Sequence, residues 1–174
     1  ASGQVRGILY GGEPVDEWMR DRKAAWCREL ADGCRIGSEG LSLGVLDGLS
    51  LEIAHSNPTA PSENERSLVA RLVDSEGSGL LLAPGDLDTN GEASTLAHDA
   101  QLSASALLVG HHGSRGSSSL QFLGRVGART AIIQAGERNA YGHPHAQALE
   151  RLRAIVPDVR LVAPGKTESV MLSP

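Results

Sequence analysis

The chain has 174 residues, a length that one domain of ordinary size accounts for. Its 16 basic and 21 acidic residues give a formal net charge of -5, which argues against a broad basic surface that grips nucleic acid by releasing counterions. The charge does not exclude a nuclease, because catalytic metal ions bring their own positive charge to a phosphate. No apolar run approaches the roughly 20 residues that a membrane-spanning helix needs.

The first elements in chain order are a strand and a helix. Residues 5–10 are typical of a short strand, and residues 13–30 favour a helix. Cys27 and Cys34 are too few for a disulfide scaffold. We expect both to be ordinary thiols, and a single disulfide is the alternative if the domain lies outside the cytoplasm.

A hairpin is predicted next. Asp47-Gly48 favours the positive φ angles of a tight hairpin turn, so residues 41–46 and 49–54 are predicted to pair as strands. Prolines and small polar residues predict a loop over residues 56–63.

The rest of the chain alternates between strand-like and helix-like segments. The predicted strands cover 68–73, 79–83, 104–109, 130–135, 159–162 and 169–172. The predicted helices cover 92–101, 117–126 and 145–155. We expect Asn90 or Thr89 to cap the first of these helices, and Asp88 to be a turn residue. Hairpin strands followed by this alternation predict a layered α/β sandwich with a site along one edge of a sheet.

Four of the six histidines lie on two loops bracketed by glycine. One loop is residues 110–114, which contains His111 and His112, and the other is residues 142–145, which contains His143 and His145. Imidazole acts as a metal ligand or general base near neutral pH, and glycine lets the backbone approach a substrate closely. The clustering therefore predicts a functional site.

A carboxylate joins these histidines in the pattern. Asp86 follows the apolar strand predicted over residues 79–83. Histidine and aspartate are the mixed nitrogen and oxygen ligands that suit zinc or manganese. These residues together predict a metal-dependent hydrolase. His55 and His98 belong to no motif, and we expect both to lie at the surface, as we expect of His145.

Four motifs in order carry a family resemblance. They are Asn64-Glu65-Arg66-Ser67-Leu68-Val69, Gly85-Asp86, His111-His112-Gly113-Ser114 and Gly136-Glu137-Arg138-Asn139-Ala140-Tyr141-Gly142-His143-Pro144. Over roughly residues 5–172 the chain resembles the metallo-β-lactamase-type domain at the C-terminal end of ComEC proteins, the membrane channels of natural competence for DNA uptake. The resemblance implies one domain over residues 1–174, with helices outside two sheets in an αββα sandwich.

The resemblance also implies ligands for two divalent metal ions, zinc or manganese. It places Asp86 at the carboxylate that bridges them and His143 at the last ligand position. Because adjacent side chains of an extended strand point to opposite sides, we expect one of His111 and His112 to face the metals. His112 is named as a ligand, and both histidines are candidates for the catalytic proton transfer.

Other residues of the four motifs are candidates for substrate binding. They are Asn64, Ser67, Ser114, Asn139 and Tyr141. Ser67 is also expected to pair with the backbone, and a turn asparagine and a packing tyrosine are the alternatives for Asn139 and Tyr141. Residues 117–119 are all serine and supply backbone amides for a phosphate cradle, with helix capping as the equally weighted alternative.

One motif of the superfamily does not occur. The first metal-binding loop, of the form His-x-(His/Asp)-x-Asp-His, is absent from these residues. We expect the chain to be either a fragment of the domain or a degenerate relative with half a metal site. With so few ligands left, we expect weak or no metal binding and no appreciable nuclease activity in the isolated chain.

The resemblance implies hydrolysis of phosphodiesters in the DNA strand that does not enter the cell. The partners that it implies are single-stranded DNA, the membrane channel of the same polypeptide and other competence proteins. It places a soluble domain on the outer face of the bacterial inner membrane. The alternatives are a stand-alone hydrolase of another ester, since the fold hosts many substrates, and a non-catalytic DNA-binding or assembly module.

Overall fold

The structure is a computed structural model that describes residues 7–12, 17–29, 33–98, 100–163, 165–167, 169–170 and 172. The strands within these ranges are β1 Gly7–Tyr10, β2 Gly33–Ile36, β3 Ser42–Leu46, β4 Leu49–His55, β5 Val69–Asp74, β6 Gly79–Ala83, β7 Ala106–Leu108, β8 Thr130–Gln134 and β9 Asp158–Val162. The α-helices are α1 Glu17–Glu29, α2 Thr89–Ala97, α3 Leu120–Val126 and α4 Ala146–Ile155.

Strands β3 to β9 form one seven-stranded sheet in sequence order. The first four pair antiparallel, and β6 to β9 pair parallel. β1 and β2 pair parallel in a separate two-stranded sheet. The predicted α/β class is confirmed, as is the hairpin, whose strands β3 and β4 flank Asp47-Gly48.

The core lies between the parallel half of the sheet and the helices that connect its strands. Each crossover advances by one strand in the same direction, so right-handed connections place α2, α3 and α4 on one face. Phe122 and Leu152 from the helices pack with Leu82, Leu107 and Ile133 from the strands, and all five are almost fully buried. This packing of apolar side chains supplies most of the favourable free energy of folding.

The sheet brings the predicted site together at one edge. The carboxyl ends of β6, β7 and β8 meet there because these strands are parallel. Asp86, His111 and the loop to His143 follow these three strands in turn. A site at the carboxyl edge of parallel strands is the common arrangement in α/β proteins.

Several boundaries and one cap differ from the sequence predictions. Helix α2 begins at Thr89 rather than Glu92, and its cap is Asp88, whose carboxylate accepts hydrogen bonds from the backbone N–H groups of Asn90 and Gly91. The expectation of Asn90 or Thr89 as cap was wrong, because the backbone turns into the helix one residue earlier.

The two cysteines form a disulfide, with a Cα–Cα distance of 5.2 Å. The expectation of ordinary thiols was wrong and the alternative of a single disulfide is confirmed, because β2 packs against α1 and brings Cys34 next to Cys27. Strand β2 was not predicted at all.

Parts of four predicted elements lie outside the described residues: 5–6 of the first strand, 13–16 and 30 of the first helix, 99 of the helix predicted over 92–101, and 171 of the last strand. The described residues 169, 170 and 172 are not in a strand. The longest described helix has 13 residues, and none of the helices in the described ranges has the length and hydropathy of a membrane crossing.

Candidate functional site

The loop after β6 holds Asp86 against the turn that precedes β5. The backbone N–H of Asp86 donates a hydrogen bond to Ser67 Oγ at 3.1 Å, which confirms the predicted pairing of Ser67 with the backbone. Gly85 has φ +62°, and a Cβ there would lie 3.0 Å from the Ser67 side chain. Asn64 begins the 3-10 turn that ends next to Ser67. The substrate-binding roles of Asn64 and Ser67 stay predictions.

His111 and His112 follow β7 in a tight turn rather than in extended chain. Their φ angles are +49° and +54°, two consecutive left-handed conformations at residues other than glycine. In this turn both rings lie near His143, with ring-centroid distances of 5.5 Å from His111 and 6.5 Å from His112. The expectation of extended chain was wrong here, whereas the expectation that one of the two rings faces the metals stays a prediction.

Hydrogen bonding fixes the orientation of the His112 ring. Its Nδ1 lies 2.8 Å from the carbonyl oxygen of Gln134, and its Nε2 lies 3.6 Å from Asp86 Oδ1. A carbonyl only accepts, so Nδ1 carries the proton and the Nε2 lone pair of a neutral ring faces the carboxylate. Two acceptor atoms placed so close together could both ligate one metal cation.

The loop that carries His143 is braced by Asn139. Its Nδ2 donates to the carbonyl oxygens of Gly136 at 2.8 Å and His143 at 2.6 Å, and its Oδ1 accepts from the N–H of His143 at 2.9 Å. The Tyr141 ring is 78% exposed and stacks 5.8 Å from the His143 ring. The structure thus gives Asn139 a bracing function, while contact of Asn139 or Tyr141 with substrate stays a prediction.

The two histidine loops touch each other directly. A Cβ at Gly113, where φ is +80°, would lie 2.7 Å from the Cβ of Pro144. The His143–Pro144 peptide bond is cis. Burial lowers the pKa of His143, and the neighbouring imidazoles of His145, His111 and His112 lower it further, while Asp86 opposes them. The neutral, ligating form of His143 is therefore favoured near pH 7.

His145 also belongs to the cluster. Its ring lies 4.9 Å from that of His143, and its Nδ1 accepts a hydrogen bond from the backbone N–H of Arg115 at 3.2 Å. A backbone N–H only donates, so a neutral His145 carries its proton on Nε2. His145 stands at the N-cap of α4 and stays partly exposed, as expected, and the sequence did not show that its ring would also join the cluster.

Two donors of the cluster, His112 and Asp86, have a spacing that an open metal site could use. Two ligands of a tetrahedral zinc ion lie roughly 3.4 Å apart, close to the 3.6 Å between His112 Nε2 and Asp86 Oδ1. The buried Nδ1 of His111 has no hydrogen-bond partner among the described residues. Within the same residues, no group of three or more His, Cys, Asp or Glu side chains has the spacing of a metal site.

A cleft of about 330 Å³ lies beside the cluster, lined by Gln134, Ala135, Gly136, Val162, Ala163, Gly165 and Lys166. Gln134 is the residue whose carbonyl orients His112, and Gly136 is held by Asn139. None of the histidines lines the cleft itself. The cleft therefore neighbours the cluster, and Lys166 is the one basic residue among those that line it.

Comparison with known proteins places this chain in a family. ComE operon protein 3 of Bacillus subtilis (strain 168) is 38% identical over 112 residues, which are 63% of this chain and 14% of that protein. Competence protein ComA of Neisseria gonorrhoeae is 39% identical over 150 residues, 85% of this chain and 19% of that protein. Recombination protein 2 of Haemophilus influenzae is 36% identical over 109 residues, 60% of this chain and 13% of that protein.

The chain is a ComEC-type domain. It spans less than a fifth of the length of these curated relatives. No family model matches it.

The ComEC-type domain has a buried carboxylate behind the site that sequence reasoning missed. Glu92 accepts hydrogen bonds from the backbone N–H groups of Ser118 and Ser119, and Ser119 Oγ caps α3 by accepting from Phe122. Burial raises the pKa of Glu92, and the Ser119 and Ser118 donors and Arg151 oppose that rise. The predicted phosphate cradle was wrong for these two amides, because Glu92 already occupies them.

His55 was expected at the surface, and that expectation was wrong. It is 3% exposed at the end of β4, and its Nε2 has no hydrogen-bond partner among the described residues. Its Nδ1 lies 3.4 Å from Glu39 Oε2, and its ring lies 5.1 Å from that of His98, which is exposed as expected. The alternation of β4 was a usable signal, since Ile53 and His55 share its buried face.

Proposed function

We propose that this ComEC-type domain has the metallo-β-lactamase αββα fold and, in the full-length protein, hydrolyses phosphodiesters of the DNA strand that does not enter the cell. The names of two relatives contain ComE and competence, which supports a role in DNA uptake. The observation that carries the chemistry is the His112–Asp86 pair, whose two acceptor atoms lie close enough to ligate one cation.

Asp86 and His112 would hold a zinc or manganese ion, with His143 as a further ligand. Such an ion supplies Lewis-acid chemistry to a phosphate and charge stabilisation in the transition state. The carbonyl of Gln134 keeps the His112 Nε2 lone pair turned towards Asp86. Asn139 holds the backbone of His143 from both sides, so the ligand stays in place without a substrate.

The remaining residues of the cluster act on the substrate. The Nε2–H of His145 is a donor for a phosphate oxygen, because Arg115 fixes the tautomer. The exposed Tyr141 ring beside His143 is a stacking surface for a nucleobase, and stacking tolerates every base. Lys166 in the adjacent cleft would contact a neighbouring phosphate. These positions fit a single strand whose bases are unpaired.

The test is cleavage of single-stranded and duplex DNA by the full-length protein with manganese or zinc. Asp86→Asn is expected to lower the rate by about 100-fold or more, since even outer-shell partners of a metal ligand are worth 10- to 100-fold. Asp47→Asn is the matched control, because Asn-Gly suits the same hairpin turn and lies away from the site.

Two results would replace the proposal. DNA binding without any cleavage would point to a non-catalytic DNA-binding module. Turnover of a lactone or a simple phosphate ester, with DNA left intact, would point to a hydrolase of another ester.

A further inference from the structure

We propose that Glu92 and Arg151 form a clamp that holds His111 and His112 in their left-handed turn, which makes Glu92 a positioning residue of the site. The clamp is defined by these two side chains and by the loop 115–119, in which Glu92 binds backbone N–H groups and Arg151 binds backbone carbonyl groups. The value of such positioning for catalysis rests on the proposed function, whereas the clamp itself is a feature of this chain.

Glu92 binds two backbone N–H groups of the loop. The side chain projects from α2 and the residue is 2% exposed. Its Oε1 accepts from Ser118 N–H at 2.5 Å and its Oε2 accepts from Ser119 N–H at 2.8 Å. A buried carboxylate is costly unless its oxygens are satisfied, and charge-assisted bonds to two amides are among the stronger ones. Such a group restrains the two amides it binds.

Arg151, which projects from α4, binds backbone carbonyl groups of the same loop. Its Nε donates to the carbonyl oxygen of Ser118 at 2.9 Å. Its Nη2 donates to the carbonyl oxygens of Arg115 and Ser117, both at 2.8 Å. The planar guanidinium therefore holds three carbonyl groups of the loop at once, a geometry that a lysine ammonium would not reproduce.

Hydrogen bonds connect the loop to the turn that contains His111 and His112. Ser117 is fully buried, and its Oγ lies 2.9 Å from the carbonyl oxygen of Gly110 and 3.1 Å from that of Ser114. The N–H of Ser114 donates to the carbonyl oxygen of His111 at 2.9 Å. These bonds close the turn at its beginning and at its end.

The turn needs such support because its backbone is strained. His111 and His112 both have positive φ, and Ser118 within the gripped loop has φ +60°. Side chains other than glycine adopt this conformation at a cost in energy, and it persists where the surrounding structure over-determines it. The clamp also links all three site loops, since α2 follows Asp86 and α4 follows His143.

The test is NMR of the 174-residue chain, without metal or DNA, comparing Glu92→Gln with the wild type. Glutamine has the same shape but turns an N–H donor towards one of the two amides. We expect a folded variant in which the backbone shifts of His111 and His112 lose their left-handed pattern and the His112 imidazole ¹⁵N signals show mixed tautomers. Amide exchange at Ser118 and Ser119 should accelerate about 10- to 100-fold.

Controls separate positioning from general stability. Glu150→Gln changes an exposed glutamate of α4 and should leave every signal unchanged. Val156→Ala removes core volume after α4 and should lower the melting temperature while leaving the His112 tautomer intact. Arg151→Met should reproduce the effect of Glu92→Gln, and Arg151→Lys should rescue it in part. If Glu92→Gln does not fold, the comparison of Arg151→Met with Arg151→Lys serves as the test.

Unchanged His111 and His112 signals in the folded clamp variants would overturn the proposal, and so would equal changes in Val156→Ala. Since this readout needs no catalysis, its failure leaves the proposed hydrolase standing. Conversely, if the full-length protein cleaves no substrate while its His111 and His112 signals still change in Glu92→Gln, that result would refute the proposed function and support the clamp.

Discussion

The Nε2 atom of His112 lies 3.6 Å from Oδ1 of Asp86, although the two residues follow different strands and are both about half exposed. The gap is too long for a good hydrogen bond and close to the separation of two ligands on one metal ion. Because Gln134 fixes the ring, this spacing is set by the backbone of β8 rather than by chance rotation of a surface side chain.

His143→Ala in the full-length protein is expected to abolish metal-dependent DNA cleavage and leave the melting temperature nearly unchanged. The reason is that a loop ligand contributes to metal affinity more than to the core. The measurement is nuclease activity with manganese or zinc beside a thermal melt. His98→Ala, an exposed histidine on the C-cap of α2, is the control and should keep full activity. Undiminished cleavage by His143→Ala would show that His143 is not a ligand.

The isolated chain is expected to bind zinc and manganese weakly and to lack appreciable nuclease activity. Asp86, His112 and His143 leave a site largely open to water, and affinity should fall as the pH drops and imidazoles protonate. Calorimetric titration at two pH values and a cleavage assay measure this. Tight stoichiometric binding with turnover would mean that other residues of this chain complete the site.

Gly113→Ala is expected to destabilise the fold by roughly 1–2 kcal/mol or more, since an alanine at positive φ is strained and its Cβ would press on Pro144. Gly124→Ala is the matched control in α3, where a Cβ meets nothing within 4 Å. It should stabilise the helix by about 0.5–1 kcal/mol. Denaturant unfolding gives both values, and equal effects of the two substitutions would contradict the close approach of the loops.

His55 should make the fold sensitive to acid. Burial lowers its pKa in the folded state below 6.5, with His98 lowering it further and Glu39 opposing both. Below pH 6.5 the unfolded chain therefore binds more protons at this residue than the folded chain does, so stability falls as the pH drops through this window. His55→Leu should flatten that slope, whereas His98→Gln should retain most of it. Denaturant unfolding from pH 7.5 to pH 5 is the measurement, and equal slopes in His55→Leu and wild type would refute the assignment.

Local patterns were enough to predict which residues meet at the site. Apolar runs followed by glycine and a ligating residue mark the ends of β6, β7 and the loop after β8. Once the strands are parallel, their carboxyl ends must share an edge, so the approach of Asp86, His112 and His143 follows from strand order. The Asp47-Gly48 hairpin was predictable for a similar reason, because two residues fix its turn.

Tertiary structure alone decided how those residues are held. Glu92 meets Ser118 across 26 residues of chain, and Arg151 meets Ser118 across 33. No local periodicity encodes such distances, because they depend on how α2 and α4 pack around α3. The same holds for the contact of His145 with the first histidine loop, where its Nδ1 accepts a hydrogen bond from the N–H of Arg115 across 30 residues. The spacing of residues in the sequence predicts which side chains follow the end of each strand. Packing between distant parts of the chain decides which of those side chains are restrained, which are buried and which face one another.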